Sequence, residues 1–140
     1  MRFMIMAGPG KTTAQSDAPP SDDLFAAYMR FNEELAKAGV LVVAEGLAPS
    51  APPAQVSVIG GKRTVTDGPY AEAKELIGGF YLIDVKSRDE AIQWALRCPV
   101  GLGFDDVLEI RQMTGAADVP PEMLALARRV APTWSATWKE

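Results

Sequence analysis

Gly78-Gly79-Phe80-Tyr81-Leu82-Ile83-Asp84-Val85, followed closely by Ser87-Arg88-Asp89-Glu90, reads as a strand that feeds a helix. The paired glycines admit a run of apolar and aromatic residues, the composition of a buried strand. Ser87 then stands three residues before Glu90, the spacing of a capping box. Ala91, Ile92, Ala95 and Leu96 form the apolar stripe of that helix, and Pro99 stops it. Beyond a glycine-rich loop, Val107 to Met113 is a further strand.

The N-terminal half repeats this order. Arg2 to Ala7 is a short apolar strand. Gly8 to Pro20 reads as a loop, and Ser21 caps a helix whose first turn carries Asp22 and Asp23. Leu24, Tyr28, Phe31 and Leu35 recur at helical spacing, and Gly39 ends the helix. Val40 to Leu47 is the second strand, and the prolines of Ala48 to Ala54 enforce a loop. Gln55–Ile59 and Lys62–Thr66 flank Gly60-Gly61, a two-residue hairpin signal. Two βαβ-like halves with a hairpin between them predict an α+β fold, a ferredoxin-like sandwich. Its helices would cover one sheet face. The bare face then calls for a partner, and a homodimer with opposed sheets is the simple solution.

Residues 1–113 form this domain, and 114–140 form a C-terminal helical extension. In the extension Val119-Pro120-Pro121-Glu122 opens a helix through Met123, Leu124, Ala127 and Val130, and Trp134 and Trp138 follow. Two tryptophans are costly to leave in water, so they are expected to pack on the domain or on a second subunit.

Composition narrows function by exclusion. The chain has 140 residues, 48% of them hydrophobic, which suits one domain with a core of its own. A net charge of −4 without a basic run argues against nucleic acid. The longest apolar stretch falls far short of a membrane span, and Met1 to Ala7 reads as a strand and not a secretory signal. The single cysteine, Cys98, reads as a small buried hydrophobe, and a cytoplasmic setting is the expectation. There is no histidine. A Ser-His-Asp or Cys-His centre is therefore impossible, and a zinc site is improbable for want of ligands. Neither a cofactor nor a metal is expected.

The remaining chemistry lies with a few side chains. Asp67, in the Asp67-Gly68-Pro69 turn, is the candidate acid or base; alternatively its carboxylate caps the turn. Glu45 sits in an apolar strand, where it either meets solvent or faces a cleft, pairing with Lys74 or Arg111 or binding ligand. Tyr70 and Tyr81 are packing aromatics or ligand contacts. Lys74 and Arg111 are the cations that would hold an anionic group. Gly8-Pro9-Gly10-Lys11-Thr12-Thr13 lacks the glycine spacing of a phosphate-binding loop.

Asp67-Gly68-Pro69-Tyr70-Ala71-Glu72-Ala73-Lys74-Glu75 resembles the DGPFAETKE segment of the DGPF subgroup of the YCII-related family, with Tyr70 for Phe and Ala73 for Thr. Gly78 to Val85, Gly39-Val40-Leu41, Glu45-Gly46-Leu47, Ala95 to Pro99 and Val107 to Arg111 follow the same pattern. The resemblance implies a ferredoxin-like, dimeric α/β-barrel assembly. It further implies an association with extracytoplasmic-function sigma factors, and for some relatives enzymes built on a His-Asp pair, one branch resembling dehydrochlorinases. That pair cannot be carried over, since only Asp67 has a counterpart here. Two functions follow: a dimeric small-molecule-binding or regulatory module, or a cofactor-independent enzyme of proton transfer, isomerisation or elimination with Asp67 as acid or base.

Overall fold

The computed structural model describes residues 1–9, 22–48, 53–68, 77–99 and 106–138. The strands are β1 (Arg2–Pro9), β2 (Leu41–Gly46), β3 (Ala54–Ile59), β4 (Lys62–Asp67), β5 (Gly79–Asp84) and β6 (Asp106–Gln112). The helices are α1 (Asp22–Lys37), α2 (Arg88–Ala95), α3 (Pro121–Val130) and α4 (Pro132–Ser135), with a 3-10 turn at Ala116–Asp118.

Four strands form one antiparallel sheet in the order β2-β5-β1-β6. With α1 between β1 and β2, and α2 between β5 and β6, this is the ferredoxin-like arrangement. β3 and β4 stand apart as a two-stranded ribbon. They pair from Ala54↔Asp67 to Ile59↔Lys62. Gly60 and Gly61 close the ribbon with φ of 58° and 77°, both in the left-handed region that a type I′ turn requires.

The core lies between the sheet and the two helices. Phe3 and Ile5 of β1 and Tyr81 and Ile83 of β5 meet Phe31 and Leu35 of α1 and Ala91 and Ala95 of α2. All are buried. Phe31 stacks edge-on against both Tyr81 (ring centroids 5.3 Å apart) and Trp94 (6.3 Å). Cys98 is buried in the same cluster.

α2 begins as its sequence predicts, with one shift. The Ser87 hydroxyl accepts from the Glu90 N–H at 3.1 Å, but the Glu90 carboxylate reaches back to the N–H of Lys86, one residue before the cap, at 2.9 Å. Arg97, just past α2, stacks over Trp94 at 4.5 Å and pairs with Glu34 of α1, tying the two helices together at the surface. Ser21 and most of the Gly8–Thr13 segment lie outside the described residues.

The tryptophans of the extension pack on each other. Trp134 and Trp138 lie edge to face with centroids 4.4 Å apart, and Trp134 remains exposed.

Candidate functional site

β1 and β5 are the inner strands, and they are apolar on both faces. Side chains alternate across a strand, so Phe3 and Ile5 enter the helix side while Met4 and Met6 emerge on the other. β5 divides in the same way, with Tyr81 and Ile83 inward and Phe80 and Leu82 outward. The open face thus carries Met4, Met6, Phe80 and Leu82 at its centre, all of them half-buried.

The register gives this face two rows. Glu45, Phe80, Met6 and Glu109 lie side by side from β2 to β6, and Val43, Leu82, Met4 and Arg111 form the next row. Within these two rows charge is confined to the outer strands. Glu45 is at the β2 edge, while at the β6 edge Arg111 donates to Glu109 Oε1 at 3.0 Å. Beyond the second row, the Met1 ammonium donates to Asp84 Oδ1 at 3.1 Å, and Arg2 donates to the Thr114 carbonyl at 3.1 Å. An apolar floor bounded by an acid on one side and an Arg–Glu pair on the other can take up an apolar molecule and orient its polar groups.

A β-bulge decides which way Glu45 points. Leu41 pairs with Ile83 but Val43 pairs with Leu82, so Val42 is an extra residue in β2. Unbroken alternation would put Leu41, Val43 and Glu45 on one face. With the bulge, Leu41 and Ala44 pack against the core, while Val43 and Glu45 go to the open face. Glu45 and Arg111 therefore share a face but not a bond. Three strand spacings, about 14 Å across the sheet, and one row along it separate them. Arg111 pairs with Glu109, a neighbouring acid on its own strand, and the Glu45–Arg111 pairing that stood among the alternatives for Glu45 does not form within the chain.

Tyr81 belongs to the helix side. It is 8% exposed, and its hydroxyl donates to Asn32 Oδ1 at 2.8 Å. Burial, reinforced by Cys98 and Tyr28, pushes its phenol well above the ordinary tyrosine range. Asp67 is the last residue of β4, exposed and opposite Ala54. The ribbon ends there in a backbone bond, from the Gly68 N–H to the Pro53 carbonyl at 2.7 Å. A side chain at Gly68 would strike the Pro53 ring, its Cβ 2.8 Å from Cγ, which explains glycine at this point. Tyr70 and Lys74 lie outside the described residues. The structure thus brings Glu45 and Arg111 to one face and leaves Tyr81 and Asp67 off it. Sequence reasoning missed Met4, Met6, Phe80 and Leu82 as a surface, although the unbroken apolar runs of β1 and β5 signal two apolar faces.

Among the described residues no group of three or more His, Cys, Asp or Glu is gathered as metal ligands, and no helix is long and apolar enough to cross a membrane.

A search of solved structures finds similarity to 5-chloro-2-hydroxyhydroquinone dehydrochlorinase from Burkholderia phenoliruptrix AC1100, solved with 2,5-dihydroxybenzoquinone. It covers 86% of this chain and 100% of that one, with a TM-score of 0.49 and 16% identity. An uncharacterised protein of Rhizobium meliloti (strain 1021) is 35% identical over 99 residues, which is 71% of this chain and 69% of that protein. The family model of the YCII-related domain matches residues 1–114, and the chain belongs to the YCII-related family.

Proposed function

We propose that this protein is a dimeric small-molecule-binding module of the DGPF type, which takes its ligand on the open sheet face. The observation that carries the reading is the uncovered apolar centre of that face, Met4, Met6, Phe80 and Leu82, with charge only along its borders. A second copy laid over the face would remove this surface from water and turn an open floor into a closed cleft. The ligand that fits is an apolar ring bearing a polar or anionic group, with the ring on Phe80 and Leu82 and the anion towards Arg111. The sigma-factor association implied by the DGPF motif gives such binding a regulatory use. The acid–base alternative needs a carboxylate in a desolvated cleft, whereas Asp67 is exposed on the ribbon. Binding is therefore the preferred reading.

Leu82→Glu places a charge at the centre of the face and leaves the helix-side core untouched. The expected result is a fall from dimer to monomer mass by light scattering. The fluorescence of anilinonaphthalene sulfonate, an apolar anionic probe, should fall with it by about tenfold in apparent affinity, the equivalent of about 1.4 kcal/mol. Arg111→Ala should weaken the probe a few-fold and leave the mass unchanged. A Leu82→Glu protein that keeps wild-type mass and wild-type probe binding overturns the proposal.

A further inference from the structure

The β3–β4 ribbon has two unlike faces. Alternation and register put Ala54, Val56 and Val58 of β3 beside Asp67, Val65 and Arg63 of β4 on one face. The other face carries Gln55, Ser57, Thr64, Thr66 and Lys62, with Ile59 at the turn. On the first face Val56 is 60%, Val58 59% and Val65 65% exposed, a contiguous valine patch standing in water. A lone two-stranded ribbon is marginal, and one with an apolar face needs a cover.

The charges on that face specify the cover. Arg63 and Asp67 sit at opposite ends of the valine patch, four residues apart on one strand, or about 13 Å. That is too far for them to neutralise each other. A two-fold axis lying between two such faces, perpendicular to the strands, reverses strand direction. It sets Val65 on the partner subunit's Val65 and Val56 on the partner subunit's Val56. The same operation sets Arg63 on the partner subunit's Asp67, and Asp67 on the partner subunit's Arg63. Sheets pack about 10 Å apart, a gap that valines fill and that an arginine side chain spans to reach a carboxylate. The pattern +, apolar, − along one strand is self-complementary under this axis, which is the requirement of an isologous contact.

We propose that the β3–β4 ribbon is a self-association arm, which docks face to face on the same ribbon of a second copy through the valine patch and two reciprocal Arg63–Asp67 pairs. The contact is distinct from the open sheet face. Six side chains make a patch smaller than the roughly 800 Å² per partner of a standard interface, so the association is weak and concentration-dependent.

Charge exchange tests it by sedimentation equilibrium at low salt. Arg63→Asp places like charges at both ends of the contact, as does Asp67→Arg. Each should weaken association by about tenfold or more, since two exposed attractive pairs become two repulsive ones. An equimolar mixture of the two variants should associate like the wild type, because each then meets its opposite charge. The double variant Arg63→Asp/Asp67→Arg should also recover, which excludes misfolding as the cause of the single defects. Repeating the series in the Leu82→Glu background reads the ribbon alone, so failure of the open-face reading and failure of this one are separable. Equal association by the wild type and both single variants overturns the proposal, and so does a mixture no stronger than its components. Either result would assign the valine patch to a different partner.

Discussion

Tyr81 shows how one position can satisfy a sequence pattern and answer a different question from the one the sequence poses. A tyrosine in an apolar strand reads as packing or as a ligand contact, and alternation settles which only when the register is known. Here its neighbours Phe80 and Leu82 take the open face, so Tyr81 turns to α1, stacks on Phe31 and donates to Asn32. Replacing it with Phe leaves the stacking and strands the Asn32 oxygen, which should cost about 1–2 kcal/mol in urea unfolding at neutral pH. The alkaline limb should change too. The phenol titrates higher in the folded protein than its ordinary value near 10. Its contribution is therefore fully present below about pH 10, where both states hold the proton. It is lost as pH rises further, because the unfolded chain releases the proton first. The wild type should lose stability more steeply than Tyr81→Phe above about pH 10. Parallel alkaline limbs would remove Tyr81 as their cause.

At the scale of elements, the sequence was legible wherever one local rule decided the outcome. Gly60-Gly61 demanded a hairpin, Ser87 with Glu90 demanded a helix start, and Leu24, Tyr28, Phe31 and Leu35 marked the buried side of α1. All stand in the structure. The bulge at Val42 was not legible, because β-branched residues suit a regular strand and an irregular one alike, and only pairing with β5 exposes the extra residue. The direction of Glu45 was hidden for the same reason. The placing of Asp67 was hidden too: Asp-Gly-Pro announces a change of direction, but says nothing about whether the chain on either side joins the main sheet. The β2–β5 pairing has its own sharp test. A Cβ at Gly79 would lie 2.8 Å from the Glu45 carbonyl oxygen and 3.3 Å from the Gly46 Cα, whereas at Gly46 it would meet nothing within 4 Å. Gly79→Ala must push backbone against backbone and should cost about 1–3 kcal/mol, with Glu45 displaced at the face. Gly46→Ala should stay within about 0.5 kcal/mol of the wild type. Equal melting points for the two variants would show that the strands tolerate more separation than the close approach implies.

At the scale of the molecule, the described residues show apolar surface outside the core on the open sheet face, on the valine side of the ribbon, and along the outer stripe of the C-terminal helices. In that stripe Met123, Leu126 and Val130 recur at helical spacing along α3, with Trp134 following in α4, and all four are exposed. The inner side is self-contained. Ala127 and Ser135 are buried, Trp138 packs on Trp134, and among the described residues the main core is built from positions between Phe3 and Ile110. Arg2 bonds the Thr114 carbonyl and Asp118 caps the Gly115 N–H, so the chain is fastened up to the 3-10 turn by contacts that precede α3. Deleting residues 120–140 should therefore lower the unfolding free energy of the sheet domain by less than about 1 kcal/mol, the range of changes that miss a core. Urea titrations at two protein concentrations give the answer. A loss of several kcal/mol at both concentrations would mean that the stripe packs on its own domain. A loss that grows as the protein is diluted would mean that it packs on a second subunit, because only stability borrowed from a partner depends on how much partner is present.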